Sequence, residues 1–567
     1  MHARSLLRSP RAVVLVFLPF CLMSAGSVLA QQDAGQILRQ LEDKPPAPTR
    51  PDVRLIDQRP PLRKEISDIP DLVVDIKAFS ITGVPDEEKA AILDALAPVI
   101  GSGKTFQDIL DAAGLVRSHL NARGYLLAQA YVPEQRLKDG VVEIAVLLGR
   151  LGRIELNYDP ATPVARNRVE AYLNRLQTGV DLRTADLERV LFLLNDLHGV
   201  RAVSTIRPGS SPGTADLIVD VGPDRTVSGN VQLDNAGSRY TGAIRANAGL
   251  VIGSPAGLGD SLSYRGIISE DSGINFGSLS YVMPVGSDGL RIGASVSNLD
   301  YKLLGKADIP PGTGSASDAL AFVLYPLKRS RNFNVFLQAG YDHKEFRDNP
   351  DAGAPVNRRS DSGLITASGD FRDHYLGGGI NSFSLGYTYG SLDNPTALVG
   401  TPQGLFRRLN PFYSRLQALG QSGWLMFLRY AGQLTPDRLD SSEKFSLGGP
   451  TGVRAFPVGE GPADQAHLLS AELRYAFPSR EGGLPGSLVG ALFMDWARGR
   501  LDKDPSASNS VADRNTRILS GFGVGLNWAT AYSWSAQASL AWRVQGDLVN
   551  DKLEQRPRAY VQVTYYF

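Results

Sequence analysis

Apolar side chains recur at every second position through the C-terminal part of the chain, residues 223–567. In one such segment Leu540 and Trp542 fall on one face of an extended strand, and Ser539 and Arg543 fall on the other. A strand with one apolar and one polar face suits a barrel wall that has lipid outside and water inside. The pattern predicts a transmembrane β-barrel.

We count sixteen antiparallel strands in this barrel, joined by connections that alternate between short and long. The longer connections include 300–317, 344–361 and the sixth outer loop, 435–466. If the residues before the barrel lie in the periplasm, every short connection is periplasmic and every long one is extracellular, as bacterial barrels show. The chain then ends on a strand, and we expect its terminal Phe567 to act as the signal for barrel assembly.

The first thirty residues, 1–30, are predicted to form a secretory signal peptide. Three arginines precede an apolar run that is too short to span a bilayer, and Ala30 ends a small-residue cleavage site. The single cysteine, Cys21, lies inside this signal. The mature chain is therefore expected to fold without disulfides or thiolate metal sites, as an envelope protein can.

Residues 31–72 are predicted to contain a short amphipathic helix, 33–43, followed by a proline-rich linker. Ile37 and Leu41 share one face of this helix, and Asp33 is placed to cap its first turn. A helix this short is unstable alone and needs a surface to dock on. The prolines that follow exclude helix from the linker, which is expected to be extended.

Two copies of one small α+β module are predicted between the linker and the barrel. Each copy has the element order β-α-α-β-β. The first module, 73–149, has strand 73–82, helices 86–96 and 105–123 and strands 127–132 and 141–148; the second module, 150–222, has strand 153–158, helices 164–176 and 184–198 and strands 200–207 and 215–221. The predicted fold class is therefore an all-β transmembrane barrel preceded by two α+β modules and a short N-terminal helix.

Charge balance and motifs argue against several classes of function. The chain carries 59 Lys and Arg against 58 Asp and Glu, which gives no concentrated basic surface for nucleic acid. Gly101–Thr105 looks like the end of a phosphate-binding loop, but Pro98 stands where that motif needs glycine, and we interpret the stretch as a turn between two helices. The histidines lack metal-ligand spacing. The sequence predicts no cofactor, no metal site and no enzymatic activity.

Two motifs carry a resemblance to a known family. The glycine-rich part of the sixth outer loop is similar to the Val-Arg-Gly-Tyr/Phe motif of two-partner secretion transporters, the TpsB proteins of FhaC, ShlB and HecB type in the POTRA-barrel superfamily. A later strand is similar to that family's Phe-x-Asp-x-Gly motif. The matching residues are Val453, Arg454, Ala455 and Phe456 in the loop and Phe493 and Asp495 in the strand. The two modules then correspond to POTRA 1 and POTRA 2.

The resemblance implies that the sixth loop folds back into the lumen and that Arg454 pairs there with Asp495. The alternation of the strand agrees, because it turns Asp495 inward. Alanine stands at 455 and at 497 where the family has glycine, and a methyl group at 455 would resist a left-handed backbone. The alternative is that both charges are solvated and only line a wet lumen, as Glu472, Arg474 and Arg543 are expected to do.

The resemblance also implies a function. The protein would be an outer-membrane translocator of a Gram-negative bacterium, with periplasmic POTRA modules that bind an unfolded haemolysin- or adhesin-like exoprotein by strand addition at a sheet edge. The client would cross the lumen without ATP, with or without activation, and helix 33–43 would plug the lumen at rest. A helix docked on a POTRA module is the alternative for that segment.

The other expected partners are outer-membrane lipid and the barrel assembly machinery, which inserts such proteins; nucleic acid is not expected. Two other functions share the predicted fold. One is an outer-membrane assembly factor of BamA or TamA type, and the other is a passive pore. The number of modules, the proline-rich linker and the candidate plug favour secretion.

Overall fold

The computed structural model describes residues 33–41, 55–59, 73–211, 213–305, 310–351, 353–395, 401–420, 422–478, 485–505, 515–531, 533–549, 551 and 553–567. The predicted signal and most of the predicted linker lie outside this part of the chain. Within it the α-helices are α1 Ala34–Leu41, α2 Asp86–Leu96, α3 Phe106–Ala122, α4 Arg166–Leu173 and α5 Thr184–Asn195. None of these helices is long and apolar enough to cross a membrane.

The strands before the barrel are β1 Leu55–Asp57, β2 Val73–Ile76, β3 Ala78–Thr82, β4 Gly101–Thr105, β5 Gln129–Tyr131, β6 Val141–Leu147, β7 Arg150–Tyr158, β8 Val200–Pro208 and β9 Thr214–Pro223. The next strands are β10 Val227–Asp234, β11 Arg245–Gly253, β12 Ser261–Ser269, β13 Ile274–Val285, β14 Leu290–Leu303, β15 Gly312–Lys328, β16 Phe333–Pro350, β17 Val356–Asp373, β18 Gly379–Asp393, β19 Gly404–Ala418 and β20 Trp424–Gln433. The last are β21 Phe445–Ser446, β22 Pro462–Ala463, β23 Gln465–Phe477, β24 Ser487–Arg500, β25 Thr516–Ala529, β26 Trp534–Gln545 and β27 Arg558–Tyr566.

Sixteen of the described strands, β10–β20 and β23–β27, form one closed antiparallel barrel. Each strand pairs with the next, and β20 pairs with β23 across the sixth loop. The barrel closes where β10 meets β27, with Asn230 opposite Tyr566 and Asp234 opposite Gln562. Closure satisfies the backbone groups that a flat sheet would leave exposed at its edges in lipid. The predicted fold class is confirmed.

Alternation along each strand separates a lipid-facing surface from the lumen. On β24, Leu492 and Met494 are 57% and 56% exposed on the outside, whereas Phe493 and Asp495 are buried inside. Exposing apolar side chains to this extent costs free energy in water, but it is favourable in the hydrocarbon of a membrane. The alternation of apolar and polar residues in the sequence therefore matches the two environments of the barrel wall, lipid outside and the lumen inside.

Aromatic side chains gather at the periplasmic ends of the strands. Trp424 packs on Tyr475 with ring centroids 4.9 Å apart, and Trp534 packs on Tyr565 at 4.8 Å. Terminal Phe567 continues the second group, since its ring stacks on Tyr565 at 6.4 Å. Such rings prefer the headgroup level of a membrane, so they mark the inner boundary of the apolar band.

The first module consists of the sheet β3-β6-β5 covered by α2 and α3, with a separate pair formed by β2 and β4. Two sequence predictions were wrong here. The strand predicted over 73–82 is two strands, and Gly101–Thr105, predicted as a turn, is strand β4. Strand β4 pairs Thr105 with Val73 and Lys104 with Val74. Its glycine-rich stretch has no apolar alternation, so backbone pairing alone defines it.

The second module is a four-stranded sheet in the order β1-β8-β9-β7, packed against α4 and α5. Its core contains buried side chains from both helices and the inner face of the sheet, such as Tyr172, Leu191 and Leu217. Strand β1 comes from the predicted linker and pairs in parallel with β8. The sequence did not predict this strand, because three residues between prolines carry no periodic signal.

Charged side chains dock the second module on the periplasmic turns of the barrel. Asp196 forms two hydrogen bonds with the buried guanidinium of Arg329, Nη2 to Oδ1 at 2.6 Å and Nε to Oδ2 at 2.9 Å. On a neighbouring turn the Tyr325 hydroxyl donates to Asp288 at 2.6 Å, and Arg175 lies 2.7 Å away. This hydroxyl and the nearby guanidinium lower the pKa of the Asp288 carboxyl, so it stays ionised.

The extracellular ends of several strands extend further than the sequence predicted. Of the connection expected over 344–361, only 351–355 lies between β16 and β17, and β15 begins at Gly312 inside the connection expected over 300–317. The prediction was wrong because charged residues were taken as loop. Lys344 and Arg358 instead point into the lumen and are buried there. A barrel interior accepts charge, so charge does not end a strand.

Substituting Asp196→Ala should loosen the docking of the second module on the barrel. The change leaves Arg329, which is 1% exposed, without its carboxylate, and such a loss costs about 3–5 kcal/mol. A spin-label distance between the second module and a periplasmic turn should broaden in the variant. Asp220→Ala removes a carboxylate of the same module that bonds Asn157 within the sheet, and it should leave the distance sharp. A distance distribution that stays as sharp in the Asp196→Ala protein as in the Asp220→Ala protein would contradict the docking role of Asp196.

Candidate functional site

Helix α1 lies inside the barrel. The helix predicted over 33–43 is described over Ala34–Leu41, and residues 42 and 43 lie outside the described part of the chain. Its side chains Ile37 and Leu38 are buried in a cluster with inward-facing residues of the wall such as Tyr301 and Phe346. The contacts of α1 are thus with the barrel, and a helix docked on a POTRA module is not what the structure shows.

Both ends of α1 are bound by polar groups. The Asp33 carboxylate accepts the N–H of Gln36 at 2.9 Å, which caps the helix as predicted, and Asp348 on β16 accepts the N–H of Ala34 at 2.8 Å. At the other end the Arg265 guanidinium donates to the Leu41 carbonyl at 2.9 Å. The N-terminus therefore lies near the extracellular strand ends, and the C-terminus points toward the periplasm.

The sixth loop, residues 434–464 in the structure, folds into the lumen beside α1. The Ser441 hydroxyl donates to the Asp33 carboxylate at 2.6 Å, and Gln36 Nε2 donates to the Gly459 carbonyl at 3.2 Å. A methyl group on Gly35 would come within 2.7 Å of Ser442 Cβ, so the loop and helix are in close contact there. Helix and loop together fill this part of the lumen.

One guanidinium joins the helix, the loop and the wall. Arg358 on β17 lies 3.1 Å from Asp33 of the helix, 2.7 Å from Asp348 of the wall and 2.7 Å from Asp440 of the loop. The Tyr301 hydroxyl donates to Asp348 at 2.6 Å. Three carboxylates thus share one buried cation, and removing that cation would leave like charges facing one another.

Sequence reasoning missed this cluster. Asp348 and Arg358 fell inside the connection predicted over 344–361, and Asp440 fell inside the sixth loop. Above the lipid both faces of a strand are polar, so no alternation identifies the inward residues there. The placement of Asp33 as a cap was the one part of the cluster that the sequence indicated.

The predicted pair of Arg454 and Asp495 forms in the structure. Arg454 Nε donates to Asp495 Oδ2 and Nη2 donates to Oδ1, both at 2.8 Å, and the Arg454 backbone N–H donates to Oδ2 at 3.1 Å. Two parallel charge-assisted bonds give the contact direction as well as strength. Because Asp495 is buried on β24, this clamp fixes the tip of the sixth loop to the barrel wall.

Further wall residues complete the surroundings of Arg454. Its guanidinium lies over the ring of Phe493, with Cζ 3.4 Å from the ring centroid, and its Nη1 lies 2.8 Å from Glu472 on β23. The Ser470 hydroxyl donates to Asp495. Glu472 was expected only to line a wet lumen, and that was wrong: it is the second carboxylate bound to Arg454.

The remaining motif residues pack the loop tip against the wall. Val453 and Phe456 are buried, and the Phe456 carbonyl accepts the Tyr560 hydroxyl at 2.9 Å. Ala455 does not adopt a positive φ, so its methyl group meets no backbone strain. It packs against Gly521 on β25, where a side chain would collide with it. Glycine at 521 thus leaves the room that the methyl group of Ala455 occupies.

Phe567 lies apart from this site, at the seam of the barrel. Its N–H and carbonyl each bond Gly229 at 3.0 Å, and its ring is exposed on the lipid side. Inside the lumen, buried ion pairs and apolar contacts hold α1 and the sixth loop against a wall whose strands are joined through their backbone.

Comparison with family models decides the identity. The model of the haemolysin secretion/activation proteins ShlB/FhaC/HecB matches residues 213–528, and that of the ShlB-type POTRA domain matches residues 74–149. The chain belongs to the ShlB/FhaC/HecB family. It is an outer-membrane translocator of two-partner secretion, which exports a partner exoprotein, and its POTRA modules are periplasmic.

Relatives agree with this assignment. The chain is 26% identical to the heme/hemopexin transporter protein HuxB of Haemophilus influenzae strain 86-028NP over 549 residues, 94% of this chain and 95% of the relative. It is 25% identical to the outer membrane transporter CdiB of Escherichia coli O6:K15:H31 over 400 residues, 69% of this chain and 66% of the relative.

Solved structures show the same fold. CdiB from Escherichia coli superposes with a TM-score of 0.66 at 19% identity, covering 89% of this chain and 92% of that one. BamA from Haemophilus ducreyi, lacking POTRA domains 1–3, gives 0.53 at 17% identity, covering 87% and 100%. The likeness to BamA is one of fold, whereas the sequence relatives are transporters, which favours export over barrel assembly.

Substituting Arg454→Ala should free the sixth loop while the barrel still inserts. It leaves the Asp495 carboxylate buried without its guanidinium, at a cost of about 3–5 kcal/mol. A cysteine placed at Val453, which is 0% exposed, can be labelled selectively, because the only native cysteine lies in the predicted signal. Its reaction with a small polar thiol reagent should become faster in the Arg454→Ala background.

Arg474→Ala is the matched control for this measurement. Arg474 also bonds Glu472, at 2.7 Å, but from the wall strand β23 rather than from the loop. Labelling of the cysteine at 453 should keep its original rate in this variant. An unchanged rate in the Arg454→Ala protein as well would show that the clamp does not hold the loop.

Proposed function

We propose that this translocator is a gated export channel, closed at rest by α1 and the sixth loop. An unfolded partner polypeptide binds the POTRA modules, displaces α1 and crosses the lumen to fold outside. Transport proceeds without nucleotide hydrolysis or other covalent chemistry. Folding on the outer side biases the direction, because a folded chain cannot slip back through the lumen.

The observation that carries this proposal is the way α1 is held. The wall is joined by continuous backbone ladders, whereas α1 is held by side chains and by single hydrogen bonds at its ends. Burial of Ile37, Leu38 and Leu41 contributes roughly 1.5–3 kcal/mol for each side chain relative to exposure. A closure of that strength is stable at rest and can be displaced by the binding of a long chain.

The Arg454–Asp495 clamp has a different role in this proposal. It ties the sixth loop to β24 through buried charge, which supports a loop that stays attached to one side of the wall while α1 moves. Val453, Ala455 and Phe456 pack beside it and keep the loop tip in register. Once α1 has left, the clamped loop lines the path of the client.

For the client we propose one large secreted protein of the haemolysin or adhesin class. Support comes from the family and from the relatives, which include a heme/hemopexin transporter and the CdiB transporters. The barrel itself would be inserted into outer-membrane lipid by the barrel assembly machinery, with Phe567, next to the last strand β27, as the recognised signal.

A comparison of secreted proteins tests the function. Deleting the gene for this chain should remove one very large polypeptide from the culture medium and leave the outer-membrane porins at their normal level. Re-expression should restore that polypeptide. Loss of many porins with an unchanged medium would support the assembly-factor alternative and overturn export of one client.

Substituting Arg358→Ala should open the resting channel. Asp33, Asp348 and Asp440 then face one another without a counter-charge, so α1 is repelled from the wall and the loop. Planar-bilayer recordings should show more frequent and longer openings than for the unmodified protein. A variant lacking residues 33–43 should behave in the same way.

Arg359→Ala is the matched control, since Arg359 is the adjacent residue on the outer face of β17 and pairs with the half-exposed Asp361. Its recordings should match those of the unmodified protein. Steady ohmic conduction already in the unmodified protein would contradict a plugged resting state and favour a passive pore.

A further inference from the structure

The apolar outer surface of the barrel ends at the same level on two neighbouring strands, β23 and β24. Outward side chains alternate with buried ones along both strands. From the periplasmic end, the outward positions are Phe477, Tyr475, Leu473, Ala471 and Leu469 on β23 and Leu488, Gly490, Leu492, Met494 and Trp496 on β24. Leu469 and Trp496 lie directly opposite each other. The lipid-facing band therefore stops at this pair, on the extracellular side.

Nitrogen-bearing side chains occupy the next outward positions. His467 on β23 lies directly opposite Arg498 on β24, and Arg500 follows Arg498 by two positions on the same face. Opposite Cβ atoms in such a pair are about 5 Å apart, and residues two apart on one strand are about 7 Å apart. Side chains this close can bind one anion together. We call His467, Arg498 and Arg500 the basic patch.

The protein itself uses few of the donors in the basic patch. The Tyr430 hydroxyl on β20 lies 2.9 Å from Nδ1 of His467, and the two rings stack with centroids 6.1 Å apart. This contact fixes the imidazole and leaves its Nε2 for a ligand. Among the residues that the structure describes, the guanidinium groups of Arg498 and Arg500 have no hydrogen-bond or ion-pair partner. The patch therefore presents N–H donors to whatever surrounds the barrel.

Outward arginines elsewhere on the barrel have acidic neighbours. Arg359 on β17 lies 3.4 Å from Asp361, and it stands opposite Glu345 on one side and Asp393 on the other. Around the basic patch the wall provides no such balance. The outward positions of the described strands β20, β23, β24 and β25 carry no carboxylate. The charge of the patch is therefore one that an anion outside the protein would neutralise.

The headgroup layer of the outer leaflet lies at the level of the basic patch. The patch begins two residues beyond Trp496, where the apolar band ends, and indole rings prefer the boundary between hydrocarbon and headgroups. Basic groups at a membrane surface bind anionic headgroups, and guanidinium groups bind phosphate through parallel N–H···O bonds. Outer-leaflet lipid of a Gram-negative outer membrane carries phosphate on its sugar headgroup. The donors and their height both fit such a phosphate.

We infer that His467, Arg498 and Arg500 form a binding site for a phosphate of an outer-leaflet glycolipid headgroup, with the acyl chains of that lipid lying along the apolar surface below Leu469 and Trp496. The inference goes beyond the proposed function, because it concerns the lipid around the barrel and not the exported chain. It gives β23 and β24 a ligand on each face, since Glu472 and Asp495 of the same strands bind Arg454 inside the lumen.

Native mass spectrometry of the full mature protein in mild detergent, with purified lipid A added, tests the inference. The unmodified protein should retain one lipid A molecule at low lipid concentration. The double variant Arg498→Gln with Arg500→Gln should need at least about tenfold more lipid A for the same occupancy, because each substitution removes charge-assisted hydrogen bonds. Both side chains point outward, so the barrel should stay intact, which the slower migration of the heat-denatured protein on a gel verifies.

The matched control removes the same charge from another part of the outer surface. Arg347→Gln with Arg359→Gln changes two exposed arginines near the extracellular ends of β16 and β17. This variant should bind lipid A as the unmodified protein does. Equal weakening in both double variants would show an effect of net charge and overturn the site. Unweakened binding in the Arg498→Gln, Arg500→Gln protein would overturn it too, and a loss of export in that protein would then assign the patch to the exported chain.

Two further ligands separate a lipid headgroup from a free anion. Lipid A stripped of its phosphates should bind the unmodified protein as weakly as intact lipid A binds the Arg498→Gln, Arg500→Gln variant. Inorganic phosphate in large excess should leave intact lipid A bound, because it lacks the acyl chains that contact the apolar band. Displacement by inorganic phosphate would show that the patch takes any phosphate, and it would overturn the assignment to a lipid.

Discussion

A bilayer interior offers no water to backbone N–H and C=O groups, and that constraint shapes the rest of this structure. The sixteen strands satisfy one another only because β10 meets β27 and closes the ring. A wall built in this way is continuous, so the lumen is controlled by what lies inside it. Helix α1 and the sixth loop lie there, and both are attached by side chains.

Two arginines divide the work of attachment. Arg454 binds the loop tip to β24 through one geometry, with two parallel bonds to Asp495 and a third carboxylate contact to Glu472. Arg358 instead gathers carboxylates from three separate segments around one cation. In the proposed displacement of α1, the first arrangement keeps all its partners. The second loses Asp33 and keeps Asp348 and Asp440.

Sequence patterns predicted those parts of the structure that repeat. The barrel was predictable because lipid and water impose a period of two, and the same period placed Asp495 inside the wall. Parts of the structure that depend on single contacts were not predictable from the sequence. Strand β4 is held by backbone pairing alone, and β1 is three residues long. The Arg358 cluster draws on the start of α1, the β16–β17 hairpin and the sixth loop. It lies above the lipid, where a strand has no apolar face that would show which side chains point inward.

The aromatic rings at the periplasmic strand ends have a consequence for geometry. Trp424, Trp534 and their neighbours prefer the headgroup zone, so they set how deeply the barrel is inserted in the membrane. The second module is bonded to a periplasmic turn that lies only a few residues beyond this level of the barrel. The bond joins Asp196 of the module to Arg329 of the turn. The height of the module is thereby set by the lipid surface itself. Whatever the module holds is presented at headgroup level, at the rim of the lumen, and not out in the open periplasmic space.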